Sequence, residues 1–155
     1  MITDTITQKI GEALKAHDEI RLSTLRLLSS AFNYEFIAKQ HKLSEDEELV
    51  VVRKEAKKRK EAIEALRQAQ GKRTSSGGDM SDRIKKEEVE LKILQEYLPP
   101  EISDEELSKI IDEVINEMRP TSLVEMGKVI GAVKAKTGGN AEGSKIAGMV
   151  KSKLA

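Results

Sequence analysis

Residues 138–145 read GGNAEGSK, and among all stretches of the chain this one stands nearest to a nucleotide-binding motif. Gly138 and Gly143 have the separation of the two glycines in a phosphate-binding loop, but Ser144 comes before Lys145. That loop needs its lysine directly after the second glycine, where it folds back over the phosphates, and it must leave a strand. Here the preceding segment EMGKVIGAVKAK has helical spacing. Glu142 would also set a carboxylate beside the phosphate. The glycines therefore read as a joint between helices, with Gly138 and Gly139 ending one and Asn140 capping the next.

Lysines flank this joint. Lys128, Lys134 and Lys136 lie on the helix before it, and Lys145, Lys151 and Lys153 on the one after. Positive charge without aromatic side chains suits contact with the backbone and shape of RNA rather than stacking on its bases. Gly127, Gly131 and Gly148 remove side chains at helix positions, which serves tight packing in the first place and close approach of a ligand backbone in the second. Lys128, Lys134, Lys136, Lys145 and Lys151, with Gly127, Gly131 and Gly143, form the candidate RNA-binding set.

Other chemistry is thinly supplied. His17 and His41 are the only histidines, and both fall at expected helix ends, where imidazole meets terminal carbonyls. The acidic runs at 45–48 and 104–106 lie in first helical turns and complement the helix dipole. The run RKEAKKRK at 53–60 reads as a solvated helix face, with Glu61 and Glu64 able to pair with Lys57 and Lys60. No serine-nucleophile elbow is present. No catalytic, cofactor or metal residue is assigned.

Composition bounds the rest. At 155 residues with 35% charged side chains and 3% aromatic, the chain has the profile of long, solvent-lapped helices. The absence of cysteine excludes disulfides, thiolate nucleophiles and cysteine-ligated zinc. No apolar run approaches the ~20 residues of a membrane span, and the acidic, amphipathic start MITDTITQKI does not read as a signal or transit peptide. A cytoplasmic protein without a membrane partner is expected. Formal net charge is zero, but residues from Thr121 onward carry six basic against two acidic groups, while those before carry 21 against 25. An acidic body with a basic tail points to an anionic partner for the tail.

The elements that position these residues are helices throughout, because apolar residues recur every three or four places and nowhere alternate. Ile2, Ile6, Ile10 and Leu14 line a first helix to about His17, in which Gly11 is expected to admit a close neighbour. Leu22, Leu25, Leu28, Ala31 or Phe32, and Phe36 line a second helix to about Gln40. Ser44 and Glu47 form a capping box for a third helix to about Ala69. QGKRTSSGGD at 70–79 reads as an exposed turn. Ile84, Leu91, Leu94 and Leu98 carry a fourth helix, stopped by Pro99 and Pro100. Capping boxes at Ser103/Glu106 and Ser122/Glu125 open two more helices, and the last holds Ile146, Met149, Val150 and Leu154. The expected architecture is all-α, with about four long helices over 1–98 and a compact three-helix domain over 101–155.

The segment EMGKVIGAVKAKTGGNAEGSKIAGMVKSKL resembles the C-terminal module of the YqeY-like family, which is related to the tail of the B subunit of glutamine-dependent tRNA amidotransferase. RLSTLRLLSSAFNYE, DEELVVVRKEAKKRKEAIEAL and EYLPPEISDEEL match the family in order upstream, so the resemblance spans nearly the whole chain. Glu142-Gly143 stands where the family pattern has Asp-Gly, and the 70–79 turn is longer than usual. The resemblance implies a helical bundle followed by a small tail domain. It also implies a tail that helps to bind tRNA while chemistry occurs elsewhere, and a family-level association with carbon–nitrogen ligation using glutamine. The function expected is a non-catalytic accessory module for tRNA or other structured RNA, with a partner in the translation machinery. The alternatives are a protein-interaction adaptor built on the N-terminal helices and a component associated with amidotransferase activity.

Overall fold

Each of these three-to-four-residue apolar repeats folds as a helix with most of its stripe turned inward, although Leu14 and Phe36 stay half exposed. In a computed structural model of the chain, residues 1–72 and 77–154 are described. They form α1 (Ile2–Lys15), α2 (Glu19–Lys39), α3 (Glu45–Lys72), α4 (Gly77–Gln95), α5 (Asp104–Met118), α6 (Met126–Thr137) and α7 (Gly143–Leu154), with a 3-10 turn at Leu123–Glu125 before α6. The fold is all-α, as expected, with no strand among the described residues. None of the described helices is long and apolar enough to cross a membrane.

The chain divides into two compact units, Met1–Leu98 and Pro99–Ala155. In the first, α3 packs along α4 and α1 along α2, while α2 also touches α3 and α4. Ile6, Leu28, Phe32, Leu43, Val52 and Leu94 share its main core, and Ala13, Leu25 and Ile93 a smaller one. Polar anchors fix the helix ends. Ser44 and Glu47 form the expected reciprocal box, with Ser44 N donating to Glu47 Oε2 at 2.9 Å and Glu47 N to Ser44 Oγ at 3.3 Å. Lys39 beside it, together with that backbone bond, pulls the Glu47 carboxyl down to about 2. Arg21 grips Glu96 with two bonds of 3.0 and 2.8 Å, tying the start of α2 to the end of α4. Between α3 and α4, Arg59 Nε lies 3.0 Å from Glu90 Oε2. Burial outweighs that pairing, and together with neighbouring Glu87 it pushes the Glu90 carboxyl above its ordinary range.

Several expectations shift. α1 ends at Lys15, and His17 follows in a left-handed turn with φ 54°. Gly11 faces open space rather than a neighbour, so it costs helix stability without a packing return. The turn expected over 70–79 falls partly on residues outside those described, and at its edges the chain is helical through Lys72 and again from Gly77. The Ser122/Glu125 box is displaced by one residue, because Thr121 N, not Ser122 N, donates to Glu125 Oε2 at 2.8 Å.

Its place in the sequence marks Glu48 only as part of an acidic first turn. It is 1% exposed and caps a different helix, accepting Ile2 N at 2.7 Å, Thr3 N at 3.2 Å and the Thr3 hydroxyl. A first-turn backbone N–H has no partner within its own helix, so this carboxylate secures the start of α1. Glu48→Ala is expected to cost about 1–3 kcal/mol, measured by urea unfolding of the full chain, with the far-UV signal per residue retained.

Candidate nucleic-acid interface

The second unit is built on Leu107, Ile111 and Val114 of α5, Val129 and Val133 of α6, and Ile146 and Val150 of α7, all buried together. Ser103 caps α5 by accepting Glu106 N at 3.3 Å. Asn140 is not the N-cap of the last helix: α7 starts at Gly143, and Asn140 instead stays in the joint, its carbonyl accepting Ile102 N at 3.3 Å. The glycine pair does close α6. Gly138 and Gly139 have φ of 59° and 78°, with Gly138 N donating to Ala135 O and Gly139 N to Lys134 O, each at 3.3 Å. These nested bonds are a Schellman closure, which favours glycine because of the left-handed φ. The segment before the joint is a helix, so GGNAEGSK lacks the strand that a phosphate loop must leave.

Val129, Val133 and Thr137 of α6 are buried. At 100° per residue the opposite side of that helix carries Gly127, Lys128 and Gly131, with Lys134 at its flank, all exposed. A methyl group added at Gly127 or Gly131 would meet nothing within 4 Å, and the same is true of Gly148 on α7. The expectation that these glycines serve packing is therefore overturned. Gly143 differs, since a Cβ there would sit 3.1 Å from Cε and Nζ of Lys134, so its lack of a side chain leaves room for that lysine. Val124, in the turn leading into α6, is 90% exposed.

The lysines separate into two groups. Lys128, Lys134 and Lys151 are exposed, and their ammonium groups enter no ion pair among the described residues. Lys136 contacts Glu117 at 3.0 Å and Glu113 at 3.8 Å, Lys153 contacts Asp112 at 2.6 Å, and Lys145 is bonded to Asp104. All four carboxylates belong to α5. Lys145 does not project freely beside the other lysines, and the Asp104 contact raises the affinity of its amine for the proton. The compact unit from Pro99 onward holds eight Lys and Arg against nine Asp and Glu, a net charge of −1. The charge asymmetry read along the sequence thus lies inside this unit, with acids on α5 and lysines on α6 and α7, rather than between body and tail.

Elsewhere the titratable groups are engaged or dispersed. His41 Nδ1 lies 2.9 Å from Lys42 O and its Nε2 lies 3.6 Å from Glu47. In the basic run, Lys58 pairs with Glu55 at 2.7 Å and Lys57 with Glu61 at 3.9 Å. A cleft of about 310 Å³ between α1 and α3 is lined by Thr5, Lys9, Glu45, Glu48 and Tyr97 among others. Its Glu48 is occupied in capping α1, and the Lys9 ammonium stacks 4.5 Å from the Tyr97 ring centroid. Among the described residues no three His, Asp or Glu side chains converge on a common point as metal ligands would.

Since nothing fills the space beside Gly127 and Gly131, Gly127→Ala and Gly131→Ala should each stabilise the chain by roughly 0.5–1 kcal/mol, read as a higher urea midpoint. Packing glycines would give the opposite sign.

No curated protein matches the chain. The model of the family described as Yqey-like protein matches residues 3–154, essentially its full length, and the chain belongs to the YqeY-like protein family.

Proposed function

We propose that the chain is a non-catalytic accessory module that binds tRNA, or another structured RNA, through the outward face of α6 with Lys151 of α7. The observation that carries this reading is the pairing of open glycine positions with unneutralised lysines on one helix side. Gly127 and Gly131 are exposed, with no neighbour near the place of a Cβ, although alanine would favour the helix at both. Lys128 and Lys134 flank them. A helix without side chains at those two places lets a sugar-phosphate backbone come close, and the flanking ammonium groups meet phosphate oxygens. Contacts of this kind read the position and shape of RNA rather than its sequence. The resemblance of the same segment to the tail of the tRNA amidotransferase B subunit supports tRNA as the class of RNA and the translation machinery as the setting.

One other observation favours a different role. Opposite its core side, α2 carries Leu27, Tyr34 and Ile37, exposed by 52%, 82% and 70%. They lie on one helix stripe at seven- and three-residue steps, the pattern of a helix that docks on a protein. This adaptor reading is compatible with RNA binding by the other unit.

Titration of unfractionated tRNA into the full chain tests the proposal. Neutralising about three phosphates makes affinity fall roughly 10- to 100-fold between 50 and 200 mM salt. The triple variant Lys128→Glu, Lys134→Glu, Lys151→Glu should abolish binding while helicity stays unchanged. Absence of binding at low salt, or binding indifferent to these changes, contradicts the proposal. Recovery of a protein but no RNA, lost on Tyr34→Glu, would establish the adaptor role instead.

A further inference from the structure

Four ion pairs of the second unit run from α5 to the two helices that carry the lysines. Asp104 holds Lys145, Asp112 holds Lys153, and Glu113 and Glu117 hold Lys136. The other three lysines of α6 and α7, Lys128, Lys134 and Lys151, enter no ion pair with these acids among the described residues. A carboxylate bound to an ammonium occupies the position that a phosphate oxygen would take. Exposed pairs of this type are weak and exchange readily, and the acidic side chains in these contacts are all more than half exposed.

Resting on the RNA reading above, we propose that α5 is a built-in competitor of the RNA backbone: its carboxylates neutralise Lys136, Lys145 and Lys153, limiting the primary contact to Lys128, Lys134 and Lys151. The consequence is restraint. Six free lysines on α6 and α7 would bind any polyanion strongly, whereas three free lysines there leave recognition dependent on the shape that fits the open face of α6. The net charge of −1 over Pro99–Ala155 acts in the same direction, because long-range attraction of nucleic acid is cancelled and only the local face attracts it.

The salt dependence of tRNA binding counts the lysines engaged, at about 0.9 per neutralised phosphate on a duplex. For the full wild-type chain the slope of log K against log salt is expected near −3, against near −5 if all six lysines took part. Asp104→Asn with Asp112→Asn removes the carboxylates in direct contact with Lys145 and Lys153. It should steepen the slope by about 2 and tighten binding several-fold at 50 mM salt. Glu105→Gln with Glu106→Gln removes the same charge from α5 at residues that pair with no lysine among the described residues, and should leave the slope unchanged. Adding Lys145→Gln and Lys153→Gln to the Asn variant should restore the wild-type slope.

A wild-type slope near −5, or equal responses to the Asn and the Gln pairs, overturns the competitor role and leaves the RNA reading standing. Binding of tRNA by neither the wild type nor the Asn variant overturns both. Binding by the Asn variant alone supports the competitor role in its strongest form.

Discussion

The register of α6 governs what the second unit can present. Val129 and Val133 must both enter a core shared with Ile111, Ile146 and Val150, and a helix that buries residues four apart turns the residues between them to known directions. Gly127, Lys128, Gly131 and Lys134 face outward as a consequence. Gly138 and Gly139 end the helix one turn beyond, so Lys134 reaches the joint, where Gly143 makes room for it. Had the core positions been shifted by two residues, Gly131 and Ala135 would have entered the core and the valines would have met water.

Electrostatics then decides which lysines are available. Exposed lysine–carboxylate pairs contribute little to stability, so the α5 acids are poorly explained as a stabilising device. Their effect on the potential is larger, because they turn a lysine-rich pair of helices into part of a unit that is nearly neutral. The first unit shows the contrasting use of a carboxylate. Glu48 is buried and fully engaged at the start of α1, where it fixes geometry rather than tuning attraction. A protein with 27 acidic and 27 basic side chains thus assigns charge to two different tasks.

Much of this was legible in the letters. Apolar spacing located the seven helices of the described residues, the Ser44/Glu47 and Ser103 caps were readable from local chemistry, and the double glycine signalled the end of α6. Non-glycine residues in left-handed turns were not readable: His17, Gln40 and Arg119 end helices with φ of 54°, 58° and 46° and carry no glycine to announce it. Asn140 looked like a cap because its side chain suits that role, but its backbone is held in the joint by Ile102. The glycines on α6 were ambiguous for a deeper reason, since spacing gives the position of a missing side chain and not what occupies the gap. The acid partners of the lysines were hidden by distance along the chain. Lys136 and Glu117 are 19 residues apart, and Lys153 and Asp112 are 41 apart. Only the packing of α5 against α6 and α7 brings them together.

If the outward face of α6 is where RNA lands, amide chemical shifts of the full chain on addition of unfractionated tRNA will report it residue by residue. Perturbations are expected to concentrate at Gly127, Lys128, Gly131, Lys134 and Lys151, with Leu27, Tyr34 and Ile37 unmoved. Perturbations centred on α2, or spread over both units without a maximum on α6, would contradict it.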